Sequence, residues 1–237
     1  MYTNIYWEVV VSGLFAKITI TKKGCNYGTN KNNKYCVFIG ANCIGEKHMV
    51  NYKILSNKEK HNRFSNMKFR CGKAYQEANS RYKGTFMWEG WLKYKTKTLF
   101  VWLDNNYYEV DGEQMDIDKD ILQYGNKQYH PDLCLIVPHS INTFFENIEV
   151  GKTNITYNSK TEKYSVKITD GKRNIGATDI DSYNEALDIY CDIKQGVLVN
   201  KAKALKDRIP EKVYMALMNT DVKAINSKYY LANESEV

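Results

Sequence analysis

Apolar and polar positions along the chain change period several times, and each change predicts an element. Residues 7 to 20, WEVVVSGLFAKITI, are rich in Val, Ile and aromatics and read as one or two strands. Lys22 to Lys34 is a polar loop with Gly24, Gly28 and four Asn; an apolar strand follows at Tyr35 to Ile39, and Gly40 and Gly45 break the chain. From Asn62 to Tyr82, Phe64, Met67, Cys71, Ala74, Tyr75 and Ala78 recur at helical spacing, with Lys68, Arg70, Lys73 and Arg81 on other faces. This predicts a basic amphipathic helix interrupted only by Gly72.

The stretch from Met115 to Phe145 is denser in chemistry. Met115, Ile117, Ile121 and Leu122 flank Asp116, Asp118 and Asp120, a period of two that predicts a short strand with its carboxylates on one side. Gly125 and Asn126 read as a turn. Leu133 to Val137 reads as a second, buried strand stopped by Pro138, and Ser140 as the cap of a short helix carrying Asn142.

From about Gly151 the rhythm changes again. Thr153 to Tyr157, Tyr164 to Thr169 and Arg173 to Ala177 are strand candidates, with Asp170-Gly171 as a hairpin turn. Tyr164, Val166 and Ile168 alternate with Ser165, Lys167 and Thr169, so one face packs and the other meets solvent or a partner. Ser182 with Glu185 forms a capping-box pattern, and Tyr183, Ala186, Leu187, Tyr190 and Ile193 make the apolar stripe of a helix. Residues 197 to 208 carry Lys201, Lys203, Lys206 and Arg208, Pro210 with Glu211 starts another helix through Val213, Leu217 and Met218, and the chain is expected to fray from Asn233.

The expected fold class is α+β. Its expected segments are a β-rich N-terminal region over 1–61, a ββα core with aromatic helices over 62–150, and a three-stranded sheet plus helix with a basic helical tail over 151–237.

Composition narrows the function classes. The chain has 237 residues, 43% hydrophobic and 13% aromatic, enough to bury a core. Its formal net charge of +7 suits a polyanionic partner without demanding one, because many unspecialised proteins are equally basic. Six Cys occur with no CxxC pair; the spacing of Cys25, Cys36, Cys43 and His48 matches no common zinc finger, so zinc is not expected. Free thiols fit a reducing cytoplasm. Glu8 and Lys17 interrupt the first apolar stretch, so no signal sequence is read, and no run reaches the ~18 apolar residues of a membrane helix.

The three Asp repel one another unless a positive charge sits among them. Lys119 serves in part; a divalent cation neutralises more, and Asp oxygens with Asn carbonyls are the hard ligands that Mg²⁺ prefers. The ordinary reading is a solvated strand edge beside common turn residues.

The ordered residues of this stretch resemble the HNH-type homing endonucleases of phages. The likeness lies in IDKDI at 117–121, GNK at 125–127, Tyr129, Pro131, Cys134, VP at 137–138 and IN at 141–142. It extends to RFSNMKFRC at 63–71, with Phe64 in the place of a Trp, and to Trp91, Phe100 and Trp102. Residues from 151 onward resemble the plant ethylene-response-factor type DNA-binding domain at Ile175, Gly176, Glu185 and Ala186.

The resemblance implies a ββα-metal core that cleaves double-stranded DNA with Mg²⁺ or Mn²⁺, in the cytoplasm of a bacterial host and encoded by its phage. It places the metal on Asp118 and Asn142 and gives Asn126 the turn-bracing position. Lys119 stands where the catalytic His belongs, and a Lys with an ordinary pKa near ~10.4 is a poor general base. His130 and His139 are the alternatives for that role. The sheet module offers Lys163, Lys167, Lys172 and Arg173 to DNA, more suited to phosphates than to bases. The rival expectation is a catalytically degenerate nucleic-acid-binding protein, a phage regulator or an inhibitor of a host defence enzyme that acts on nucleic acid.

Overall fold

A computed structural model describes residues 5–11, 14–20, 49–169 and 174–231. The candidate zinc ligands Cys25, Cys36, Cys43 and His48, the strand expected at Tyr35 to Ile39, and Lys172 and Arg173 lie outside the described residues. The chain divides into two units, Met1–Lys47 and His48–Val237. In the first, β1 (Ile5–Val11) and β2 (Leu14–Ile20) pair antiparallel, the two-strand form of the reading for 7 to 20.

The second unit is α+β, with small sheets among helices. After β3 (Asn51–Tyr52) comes α1 (Asn57–Arg70), which starts earlier than Asn62 because Ser56 and Glu59 form a reciprocal capping box. Ser56 N–H donates to Glu59 Oε2 at 2.7 Å, while Ser56 Oγ accepts from Glu59 N–H at 3.3 Å. Phe64 and Met67 face inward, as the stripe predicted. The single helix expected through Tyr82 is not formed: Gly72 is extended (φ −74°, ψ 142°), and a short α2 (Lys73–Ala78) and a 3₁₀ turn at Ser80–Tyr82 follow.

Next come β4 (Phe86–Met87), α3 (Glu89–Lys93), α4 (Leu99–Asn106) and β5 (Tyr108–Glu109), which pairs with β3. Trp91, Leu99 and Leu103 are fully buried, and the Trp91 and Trp102 rings sit 5.2 Å apart. These aromatics carry the core of this half.

β6 (Met115–Asp118), β7 (Gln128–Tyr129) and β8 (Leu135–Pro138) lead into α5 (His139–Glu146). β6 and β8 are antiparallel, with Asp116 opposite Val137 and Asp118 opposite Leu135, and α5 lies against both. β7 pairs in parallel with β4. Two expectations shift here. β8 begins at Leu135 because Leu133 and Cys134 donate their N–H groups to His130 O and stay in a turn. Ser140 does not cap α5: Pro138 is the N-cap, and Ser140 Oγ donates to Glu113 Oε1 at 2.8 Å.

The last part holds β9 (Ile155–Asn158), β10 (Lys163–Thr169) and β11 (Asn174–Ile180), an antiparallel sheet ordered β11-β10-β9, then α6 (Tyr183–Leu205), which lies against all three strands. Val166 and Ile168 are buried while Lys167 and Thr169 are exposed, the alternation the sequence predicted. Ser182 Oγ accepts from Glu185 N–H at 3.2 Å, and the stripe continues past Ile193 through Leu198, Ala202 and Leu205, making α6 longer than read. α7 (Glu211–Met218) follows Pro210, and α8 (Val222–Asn226) is capped by Asp221.

The link between these parts is tied from both sides. Tyr190 Oη donates to Glu149 O at 2.8 Å, Lys194 Nζ to Asn147 O at 2.8 Å, and the fully buried Asn226 accepts from Val150 N–H at 2.8 Å. Buried residues from residue 55 to residue 222 form one core cluster.

Candidate active site

The strand-to-helix junction at β6, β8 and α5 gathers the polar chemistry. β6 alternates, so Asp116 and Asp118 share a face while Met115 and Ile117 are buried on the other. Their surroundings nevertheless differ. Asp118 ends the strand, and its Oδ1 accepts from the N–H groups of Asp120 at 2.8 Å and Ile121 at 2.7 Å. This local turn bends the chain, so Asp120 leaves the strand edge on which the sequence pattern had aligned it. Asp118 is only 6% exposed, and burial pushes its carboxyl up to about 6, against the pull of those two backbone bonds.

Lys119 is equally enclosed. Its Nζ donates to Asp120 Oδ2 at 2.7 Å and to Asn126 O at 2.8 Å. Asn126 completes the loop: its Nδ2 donates to Lys119 O and Gln128 O, both at 2.8 Å, and its Oδ1 accepts from Gln128 N–H at 3.0 Å. Gly125, at φ +76°, supplies the left-handed residue the turn requires. Asn126 thus spans the turn from both sides, and Lys119 fills its interior as a structural cation.

Asp116 faces α5. Its Oδ2 lies 2.6 Å from His139 Nδ1 and accepts from Asn142 Nδ2 at 3.1 Å, while Oδ1 accepts from Gln114 Nε2 at 3.1 Å. Burial pushes the Asp116 carboxyl up, but the bonds from His139, Gln114 and Asn142 outweigh it and hold the group below its usual value. The same hydrogen bond, aided by the carboxylate charge, raises His139 above its ordinary pKa. His139 is 56% exposed at its side chain. With Asp116 ionised, the neutral imidazole carries its hydrogen on Nδ1 and leaves Nε2 able to take a proton.

The sequence candidates therefore separate. Asn142 joins Asp116, with no hydrogen bond to Asp118. His130 bonds its own loop, Nδ1 accepting from Asp132 N–H at 3.2 Å, and its ring meets Trp88 at 4.9 Å. Lys163 is ion-paired with Asp181 on the sheet module, and Lys167 is exposed on β10. Asp116, in the sequence one of three aligned carboxylates without a role of its own, is the one that α5 reaches. The signal for it was the two-residue step from Asp118 together with a helix starting directly after Pro138, which brings His139 and Asn142 back across β6.

Two groups here fit a hard divalent ion, the Asp116 carboxylate and the Asn142 amide oxygen, which a half-turn of the amide exchanges with its nitrogen. Beside them a groove of about 290 Å³ runs between α1 and β6, lined in part by Asn62, Arg63, Asn66, Arg70 and Asp116. Among the described residues no three His, Cys, Asp or Glu side chains cluster as a metal site. No described helix is long and apolar enough to cross a membrane. Comparison with protein-family models, with curated protein sequences and with solved structures finds no match.

Proposed function

We propose that the chain is a metal-dependent DNA endonuclease of the HNH type, acting through Asp116, His139 and Asn142. The observation that carries this reading is the meeting of those three side chains where an antiparallel strand pair runs directly into a helix. Asp116 holds the imidazole of His139 through Nδ1, which leaves Nε2, with Thr143 Oγ1 at 3.4 Å, as the nitrogen to accept a proton from an attacking water. A raised His139 pKa keeps that base close to the working pH. Asp116 and Asn142 would hold Mg²⁺ or Mn²⁺, which when bound stabilises negative charge on a phosphoryl oxygen.

Asp118, Lys119 and Asn126 become loop-forming residues under this proposal. The +7 charge favours a DNA partner, with phosphate contacts that weaken as salt releases the counterion advantage. Supercoiled plasmid incubated with the chain tests the reading. Cleavage of the plasmid or of a single-stranded circle with Mg²⁺ or Mn²⁺ and none with chelator supports it; both DNAs intact under every metal condition sink it.

A second reading has one observation of its own. Lys119 occupies the place of the family's catalytic His and is buried with both its bonds made inside the loop. This favours a chain that kept the scaffold to bind nucleic acid, as a regulator or as an inhibitor of a host defence enzyme. Salt-sensitive DNA binding without nicking selects this alternative.

A further inference from the structure

We infer that α1 and α2 carry a binding surface for an unpaired DNA strand, which deepens the proposed function by naming the form of its substrate. The groove between α1 and β6 is walled by Arg63 and Arg70, two helical turns and ~10 Å apart along the axis. Arg63 spends two donors on Met115 O and Tyr107 Oη, both at 2.8 Å, and a guanidinium has five, so the fork still has N–H groups to give a phosphate. Asn62, Asn66 and Gln114 add amides that serve either phosphate or base edge.

Arg70, at the end of this groove, is in contact with a row of rings outside it. Arg70 lies over Tyr82 at 5.7 Å, Tyr82 meets Tyr75 at 5.3 Å, and Tyr75 meets Phe69 at 4.9 Å. Phe69 closes this ladder on the outside and is 66% exposed, so its ring contributes little to the core. From 68 to 83 the chain carries Lys68, Arg70, Lys73, Arg81 and Lys83 with one acid, Glu77; Lys73 pairs with Glu77 and Arg81 with Glu146, which leaves Lys68, Arg70 and Lys83 as the cations for a phosphate chain. An exposed ring, Phe69, backed by the half-buried Tyr75 and Tyr82 within a basic run is a combination that binds single strands, because every unpaired base offers a face for stacking while the cations follow the phosphates. Duplex DNA keeps those faces inside its own stack. The two acids at the groove, Glu59 and Asp116, are already engaged by the Ser56 cap and by His139. The ladder therefore leads an unpaired strand toward Asp116.

The test is fluorescence anisotropy of the full chain in EDTA, with a labelled oligo-dA of ~20 nucleotides, alone and annealed to oligo-dT. The single strand should bind more tightly than the duplex. Phe69→Ala should weaken single-strand binding ~10-fold, Phe69→Trp should retain it, and duplex binding should change less than about two-fold. Tighter binding of the duplex, no binding of the single strand, or a Phe69→Ala variant equal to wild type overturns the inference. A surface for a protein partner instead appears as that last outcome. Because EDTA removes cleavage, the two claims fail separately: nicking with an indifferent Phe69 sinks only this surface, and Phe69-dependent binding without nicking sinks only the nuclease.

Discussion

Asp116 and His139 meet across the junction of β6 and α5, carboxylate Oδ2 to imidazole Nδ1, at 2.6 Å. β6 and α5 are not consecutive in the chain, so the pair exists because β8 returns antiparallel to β6 and delivers α5 beside it. Its electrostatics can be read directly.

In a ¹H NMR titration His139 should have a pKa above ~6.5, and Asp116→Asn should bring it back toward that value. The stabilising effect of the raised imidazole is complete below ~6.5 and is lost as pH rises through its folded value. That of the lowered Asp116 carboxyl is complete above ~3.9 and is lost as pH falls through its folded value. The pair is thus strongest in the window between, and because His139 is largely exposed its worth is at most about 1 kcal/mol. An unshifted His139 in the wild type would contradict the contact.

Asp118 behaves in the opposite sense. Its carboxyl is pushed up to about 6 by burial, so its share of stability is complete below ~3.9 and is lost as pH rises from there through about 6. The loss is about 3 kcal/mol, and Asp118→Asn should flatten this part of the profile in urea melts between pH 4 and 7. Equal slopes for variant and wild type would show that Asp118 is not enclosed.

Much of this arrangement was legible in the sequence. The two strands around the GNK turn, the stop at Pro138 and the helix after it followed from alternation and breakers, and Tyr164 to Thr169 announced which face of β10 packs. The capping box at Ser56 was equally readable but was passed over because the apolar stripe becomes obvious only from Phe64. Which aspartate faces α5 was not legible. Strand periodicity makes Asp116 and Asp118 equivalent, and the difference arises where the chain turns and Asp118 bonds its own backbone. Gly72 was legible as an interruption, whereas the groove beside α1 depends on tertiary packing that a helix pattern does not encode.

Lys119→His, which installs the base that the proposed HNH reading would expect there, should not raise nicking, because the position is enclosed by Asp120 and Asn126. Asn126→Ala should cost about 2–4 kcal/mol, since three hydrogen bonds of the loop vanish with it. Chemical denaturation and the plasmid assay check the two outcomes. A ten-fold gain in rate for Lys119→His would mean that the loop opens during the reaction.

The sheet module has a sharper steric test. A Cβ at Gly176 would lie 1.9 Å from Val166 O, closer than any real contact, so Gly176→Ala must part β11 from β10. The expected cost is about 2 kcal/mol or more by thermal or urea denaturation. A variant as stable as wild type would mean that β11 does not pair in this register.

Two aspartates compared in one plasmid-nicking assay with Mg²⁺ or Mn²⁺ test the proposed centre most directly. Asp116→Ala should lose roughly 10²-fold or more in rate, since it removes both the positioning of His139 and a metal-binding oxygen. Asp118→Asn should nick at a rate near wild type, because its oxygen still accepts from Asp120 and Ile121. Loss of nicking in Asp118→Asn with activity intact in Asp116→Ala would contradict the proposed centre.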